Sequence, residues 1–188
     1  MKMFKFVVLS ILGAGSLFAG NYNIDTSHSS VGFKVKHLMI SYVKGSFDSF
    51  NGSFDYDEKT NTLKSLNGTI EVSSINTSNK KRDDHLRAPD FFDVEKYPKI
   101  TFELKSIKGD KVSGILTMRN ISKMVILDFE NNGTIKDPWG NTRAGFELIG
   151  KIKRSDFGLT WNKVLEAGGV AVGDIVKLDI QIEGILKK

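Results

Sequence analysis

The chain has 188 residues, with 27 Lys and Arg against 22 Asp and Glu, a formal net charge of +5, and no cysteine. That length supplies the core of one domain. The absence of Cys excludes a disulfide framework, thiol catalysis and a lipidated amino-terminal cysteine, and the mild basic balance falls short of the concentrated face that nucleic acid requires, so no nucleic-acid partner is expected.

The chain opens Met1-Lys-Met-Phe-Lys5, continues through the apolar run Phe6 to Leu12, and reaches Ser16-Leu17-Phe18-Ala19-Gly20. A basic head, a short apolar stretch and a small residue at the exit make a secretory signal peptide over 1–19, with cleavage after Ala19. Leu17 stands where a second small residue is preferred, so the cut can move by a few residues. The apolar run is too short for the roughly 20 residues of a membrane span. The remaining domain, 20–188, is therefore expected in the periplasm or secreted, having lost Lys2 and Lys5.

From residue 22 onward the pattern has period two. Val31, Phe33 and Val35 face one way while Gly32, Lys34 and Lys36 face the other. The runs Val43-Gly45-Phe47, Leu66-Gly68-Ile70-Val72, Ile100-Phe102-Leu104, Val112-Gly114-Leu116-Met118, Val125-Leu127-Phe129, Ala144-Phe146-Leu148 and Val176-Leu178-Ile180-Ile182 repeat it. About eight strands result, the number of a small all-β barrel or sandwich. Asn51-Gly52, Asn67-Gly68, Lys108-Gly109-Asp110, Asn131-Asn132-Gly133 and Pro138-Trp139-Gly140 carry turn chemistry, although glycines within strands also mark bulges or close approach.

One stretch breaks the alternation. Ser78 or Asn79 can cap a short helix through Lys80 to Leu86, which Pro89 must end. Asp90 can cap a further turn carrying Phe91 and Phe92, with Asp93 near its positive end, giving a helical segment over about 79–96. Two adjacent Phe in so polar a stretch need somewhere to bury, and a barrel mouth would serve.

Several blocks now fall into a familiar order. Asp25-Thr-Ser-His28-Ser29, Lys44-Gly45-Ser-Phe47, Arg82-Asp83-Asp-His85-Leu86-Arg87 and Asp90-Phe91-Phe92-Asp93-Val94 are followed by Lys96-Tyr97-Pro98-Lys-Ile100-Thr-Phe102. Gly114-Ile-Leu116-Thr117 with Lys123, Arg154-Ser-Asp156-Phe157-Gly158 and Val172-Gly173-Asp174 complete the set. Together they resemble the YceI-like polyisoprenoid-binding family. That family usually has Gly where this chain has Asn120, and Asn preserves the same turn because it tolerates positive φ.

The resemblance implies an eight-stranded antiparallel lipocalin-like β-barrel with a helical segment between strands. Its apolar cavity would hold a long-chain amphiphile such as a polyisoprenoid or an isoprenoid-quinone-like lipid, with no catalytic cofactor. Under this reading Phe33, Val35, Ile70, Val72, Phe102 and Leu104 line the interior from the first half of the chain. Leu116, Val125, Leu127, Phe146, Leu148, Val176 and Leu178 line it from the second. Large inward groups alternate with Gly68, Gly114 and Ala144, which either open space for a lipid or relieve crowding. An apolar wall supplies affinity and a few polar groups at the mouth read the head group. Candidates are His37, Lys80, Lys81, Arg82 and Arg87, with Phe91, Phe92 and Trp161 as an entrance gate. Equally, the lysines form a solvated helix face, His37 is a hydrogen-bonded strand end, and the phenylalanines are core. Arg82, Asp83, Arg154 and Asp156 are expected to tie the helix to the barrel as ion pairs.

Other chemistries fare worse. His28, His37 and His85 show no short ligand spacing, so no metal is expected. Ser27, His28, Ser29 and Asp25 are nearly consecutive and lack a nucleophile elbow. A non-enzymatic lipid carrier leads. An enzyme acting on an amphiphile through His37 or His85, and a secreted interaction or stress-response module with an incidental cavity, are the alternatives. A homodimer, and transient contact with a membrane surface or a membrane donor or acceptor, are left open. Intact mass of the protein from the exported fraction is expected to place the mature amino terminus at Gly20 or within a few residues, and a chain retaining Met1 through Leu12 there overturns the signal peptide.

Overall fold

Period-two alternation needs a hydrogen-bonded neighbour on each side of every strand, and the chain meets that need by closing on itself. The computed structural model describes residues 19–166 and 168–188, so most of the expected signal peptide lies outside the described residues. The strands are β1 (Gly20–Ile24), β2 (Ser30–His37), β3 (Ser41–Phe47), β4 (Phe50–Asp57), β5 (Thr62–Glu71) and β6 (Ile75–Asn76). After helix α1 (Lys80–Arg87) come β7 (Lys99–Lys108), β8 (Lys111–Met118), β9 (Ile121–Lys136), β10 (Thr142–Lys153) and β11 (Val172–Leu186).

Every pairing between named strands is antiparallel, and the long β11 takes β2 on its amino-terminal part and β1 on its carboxyl-terminal end. β1 and β2 are thus one interrupted stave, as are β3 with β4 and β5 with β6, so with β7 to β11 the barrel has eight staves. The breaks sit side by side. Asp48 N donates to Ser74 O at 3.1 Å and Glu71 N to Ser49 O at 2.9 Å, while Glu183 N donates to Ser29 Oγ at 2.9 Å across the first break. The eight-stranded barrel expected from sequence is the observed fold.

Some local expectations change. Asn51-Gly52 and Asn67-Gly68 are not turns but lie within β4 and β5, where Gly52 pairs with Gly68. A Cβ on Gly52 would lie 2.8 Å from Ile24 Cδ1, so glycine here permits the close approach of three chain segments. Asn131-Asn132-Gly133 lies inside β9 as a bulge opposite Gly145 and Phe146. The remaining two turn signals connect β7 to β8 and β9 to β10 as expected. Arg119 and Asn120, at φ 51° and 58°, form the two-residue loop between β8 and β9, the left-handed conformation that Asn was expected to supply.

The helix is shorter than expected. Asn79 Oδ1 accepts from Arg82 N at 3.0 Å and caps α1, which ends at Arg87 ahead of Pro89. Beyond it the chain forms turns, not a second helical turn. Asp90 is engaged by His85 Nε2 at 2.8 Å instead of capping, and Asp93 takes a left-handed φ of 53° that stops helix propagation.

The interior is divided. At the β1/β4 end Tyr22 stacks on Phe54 with centroids 5.1 Å apart, and Phe146 meets Phe54 edge-on at 5.1 Å. Tyr56, Leu63, Val112, Leu127 and Ala144 pack around them, all buried. Two of the small inward residues expected to open space divide likewise: a Cβ on Gly114 would run into the Phe102 ring and lie 2.8 Å from Glu103 O, whereas one on Gly68 would meet nothing within 4 Å. Gly114 therefore relieves crowding. Gly114→Ala is expected to destabilise by about 1 to 3 kcal/mol through overpacking, while Gly68→Ala leaves the melting temperature unchanged or raises it. Thermal unfolding of the two variants beside the parent checks the contrast, and equal effects overturn this account of the interior.

Candidate functional site

At the opposite end, where the staves carry β2, β3 and β6, α1 and the turns after it lie against the interior. They enclose a cavity of about 260 Å³. Its strand walls are Phe33, Val35 and His37 of β2, Val43 and Phe47 of β3, Ile75 of β6, and Val172, Val176 and Leu178 of β11. Met118 and Ile152 form part of the remaining wall, Leu86 of α1 closes it from the helix, and Phe91, Phe92, Leu159 and Trp161 close it from the irregular segments. The aromatic groups interlock: Phe33 to Phe47 at 5.7 Å, and Phe47 to Phe92 at 6.1 Å edge-on. His85, Phe91 and Trp161 form a trio with centroids 4.9 to 5.2 Å apart.

The charged side chains lining this cavity are Arg82 and Arg154, joined by His37 and His85, and no carboxylate is among them; Lys36 borders it too, but its ammonium lies 5.1 Å over the Tyr42 ring. Arg82 donates Nε to Thr77 Oγ1 at 2.7 Å and Nη2 to Thr77 O at 2.8 Å. Asp83 is buried against the same Thr77, accepting from its N at 2.9 Å. Arg154, 6% exposed, donates Nε to Gly173 O at 3.0 Å and Nη1 to Leu159 O at 2.5 Å. Burial pulls its guanidinium pKa down, and nearby Asp174 opposes that. The expected Arg–Asp ion pairs are not made among the described residues: Arg82 satisfies the oxygens of Thr77, and Arg154 the carbonyls of Leu159 and of Gly173 at the start of β11.

Of the residues singled out from sequence, Phe33, Val35, His37, Phe91, Phe92, Trp161, Val176 and Leu178 come together around the cavity. Val72, Leu116, Val125, Leu127, Phe146 and Leu148 are buried in the packed core, and Ile70, Phe102 and Leu104 pack against it, away from the lining. Lys80 is 88% exposed in a pair with Asp84, and Lys81 is exposed, so they form a solvated helix face. Arg87 donates to Ser73 O at 2.7 Å and Ile75 O at 2.8 Å, fastening α1 to β6. Sequence reading missed Phe47, Met118 and Ile152 as lining residues, although each continues the inward parity of its strand. Arg154, Leu159 and Ala171 carry no periodic signal.

A second concavity, about 520 Å³ and more polar, lies around Arg143 on β10. Donor atoms of Asp25, His28 and Glu183 lie within 4.8 Å of one another there. The Arg143 guanidinium bonds two carboxylates of this group, Asp25 Oδ2 at 2.8 Å and Glu183, and also Asp137 Oδ2 at 2.8 Å. The other two histidines sit elsewhere, at the cavity. His28 first, then Arg143 and the Ser27 N–H, hold the Asp25 carboxyl at about 2 against the opposing effect of burial. Arg143 drives Asp137 lower still, and the three carboxylates raise Arg143 in turn.

A closed up-and-down barrel, solid at one end and hollow and apolar at the other, is the architecture of a small-ligand-binding barrel. The chain belongs to the YceI-like family: the profile described as YceI-like domain matches residues 22–184. The UPF0312 protein plu2095 of Photorhabdus laumondii is 44% identical over 153 residues, spanning 78% of this chain and 80% of the relative. The UPF0312 protein SA2479 of Staphylococcus aureus is 42% identical over 164 residues, spanning 87% and 96%. Among solved structures, the Campylobacter jejuni YCEI protein superposes with TM-score 0.71 at 34% identity, covering 98% of this chain and 100% of that one. A polyisoprenoid binding domain from Saccharophagus degradans shares the fold, with TM-score 0.64 at 16% identity over 90% and 100% of the two chains.

The Arg143 cluster makes a pH prediction. Asp25 and Asp137 hold protons less tightly folded than unfolded, so their contribution to stability is complete above the ordinary Asp pKa of about 4 and is lost as pH falls through about 2. The parent's melting temperature is expected to drop across that window. Arg143→Met is expected to melt lower at neutral pH and to show a shallower acid dependence, measured by thermal scans at a series of pH values.

Proposed function

We propose that the protein is an exported, non-enzymatic binding protein that holds a long isoprenoid or similar amphiphilic chain in the cavity at the α1 end, for transport or storage. The observation that carries this reading is the cavity wall itself: aliphatic and aromatic side chains from β2, β3, β11 and the 88–97 turns, with cations and histidines in place of any carboxylate. Such a wall binds apolar chain without reading its sequence of atoms, and polar groups near it select the head. The family relationship supports it, since a structural neighbour is described as a polyisoprenoid binding domain. The signal-like amino terminus supports export.

The cavity volume of about 260 Å³ lies below the roughly 300 to 1,000 Å³ of most ligand pockets. A long tail must therefore displace Phe91, Phe92 or Trp161, the groups held by turns and not by ladders. A chain of ~20 carbons at about 0.3 kcal/mol per heavy atom gains roughly 6 kcal/mol, a grip of tens of micromolar, so longer tails are favoured.

Register supplies an internal control. Val35 lines the cavity and Lys34, next to it, is exposed. Val35→Trp is expected to remain folded and lose lipid, because the indole fills ligand space, while Lys34→Trp keeps it. Mass spectrometry of organic extracts from purified mature parent and variants reads the loading. Equal loading in both variants at unchanged melting temperature overturns the cavity as the binding site.

A further inference from the structure

The hairpin joining β2 to β3 has an unusual tip. Ile40 N donates to His37 O at 3.2 Å, closing a turn whose central residues, Leu38 and Met39, have φ of 48° and 63°. A turn with two positive φ values favours Asn-Gly, because a Cβ is strained there. The other non-glycine residues with positive φ among the described residues are Asn61, Ser78, Asp93, Arg119 and Asn120, all polar. This tip alone among them sets large apolar groups in the left-handed conformation. It also leaves them in the open: Leu38 is 40%, Met39 50% and Ile40 84% exposed.

The tip does not stand alone. Leu38 N donates to Ala171 O at 2.9 Å, and a Cβ on Gly169 would lie 3.2 Å from Met39 Cγ, so residues 168–171 lie against it. Val170 of this stretch bridges to Val164, which is 85% exposed. Two apolar tips from separate parts of the chain thus share one end of the barrel. His37, Ala171 and Val172, which line the cavity, adjoin them directly.

Behind the tips runs a row of like charge. Lys44 of β3 pairs in register with Lys34 of β2, Lys34 with Lys177 of β11, and Lys177 with Lys151 of β10. Directly opposed like charges disfavour a sheet. None of the four has a carboxylate within 4.0 Å among the described residues. Asp174 is taken up by Ser155, and Asp179 stands opposite Gly32 further along the strand. Lys36 and Lys177 instead lie over the Tyr42 ring, at 5.1 and 5.2 Å. Tyr42 is 46% exposed and places an amphipathic ring between the lysines and the tip.

Apolar side chains held out on a strained turn, an aromatic ring behind them and then unpaired lysines follow the order of a membrane boundary: acyl region, interface, anionic surface. We propose that the Leu38–Ile40 tip, with Val164 beside it and the Lys34/Lys44/Lys151/Lys177 row behind it, docks on a lipid bilayer carrying anionic head groups. Docking there brings the cavity wall at His37 and Val172 to the membrane. The surface does not depend on what the cavity holds.

The test is co-sedimentation of mature protein with vesicles of phosphatidylcholine alone and of phosphatidylcholine mixed with phosphatidylglycerol, at low and high salt. The parent is expected to bind the mixed vesicles, more weakly at high salt. Leu38→Asn with Met39→Gly installs the residues this turn prefers, so the double variant should melt at the same or a higher temperature yet bind mixed vesicles roughly tenfold more weakly. Lys34→Glu with Lys177→Glu should abolish the preference for anionic vesicles, and Val35→Trp should bind them like the parent. A parent that ignores the mixed vesicles, binds both compositions equally, or is unaffected by the turn exchange overturns the proposal. So does a parent that self-associates in sedimentation velocity through this tip instead of binding vesicles, which would make the surface an interface between copies.

Discussion

Tyr22 lying flat on Phe54, with Phe146 edge-on to the same ring, fixes what the rest of the barrel is free to do. An eight-stranded barrel has an interior just wide enough to be filled by side chains or to admit one small ligand, and these rings commit one end to being filled. Gly184 is part of the arrangement, since a Cβ there would collide with the Phe54 ring and push it off β11. Each fully buried large apolar side chain contributes about 1.5 to 3 kcal/mol, and Tyr22, Phe54, Tyr56 and Phe146 are all at most 1% exposed. Stability concentrated at that end lets the other end keep unfilled volume.

The hollow end is held differently. Its cover consists of α1 and irregular chain, whose carbonyls lack strand partners and must find donors elsewhere. Arginines bond several carbonyls here, of irregular chain and of strand ends alike: Arg82 to Thr77, Arg87 to Ser73 and to Ile75 at the start of β6, Arg154 to Leu159 and to Val172 and Gly173 at the start of β11. A guanidinium can satisfy several carbonyls at once because its donors spread in a plane. Carboxylates outside the lining balance both guanidiniums: Arg82 shares Thr77 with Asp83, whose Oδ1 accepts from Thr77 N at 2.9 Å, and Arg154 has Asp174 nearby.

Much of this was legible in the sequence, for identifiable reasons. Strand number and facing follow from period two, so Val35 inward and Lys34 outward could be read from Val31 to Lys36 alone. The stop before Pro89 and a cap at Ser78 or Asn79, which the structure places at Asn79, are local chemistry and are read in the same way. Asn51-Gly52 and Asn67-Gly68 misled because the residues that make tight turns also permit close approach, and only the pairing of Gly52 with Gly68 across β4 and β5 distinguishes the two. The cavity was half legible. Alternation identifies inward residues, but Phe146 and Val176 look alike in sequence, and which end of the barrel each faces depends on register around the whole ring. Arg154 gave no periodic signal at all, since its role is to meet carbonyls that exist only once the loop has folded.

The Leu38-Met39 turn bears on how stability is distributed between the two ends. Each non-glycine residue held in the left-handed region costs of order 1 kcal/mol, and directly opposed like charges in a sheet carry a smaller penalty of the same sign. Both penalties fall at the hollow end, whose cover already lacks the ring packing of the far end. Substitutions that relieve either, such as Asn-Gly at the turn or glutamate among the lysines, alter no residue of the packed rings. The sequence therefore retains unfavourable choices on one surface whose removal the barrel would tolerate, and a choice of that kind is explained by what the surface meets and not by what the fold requires.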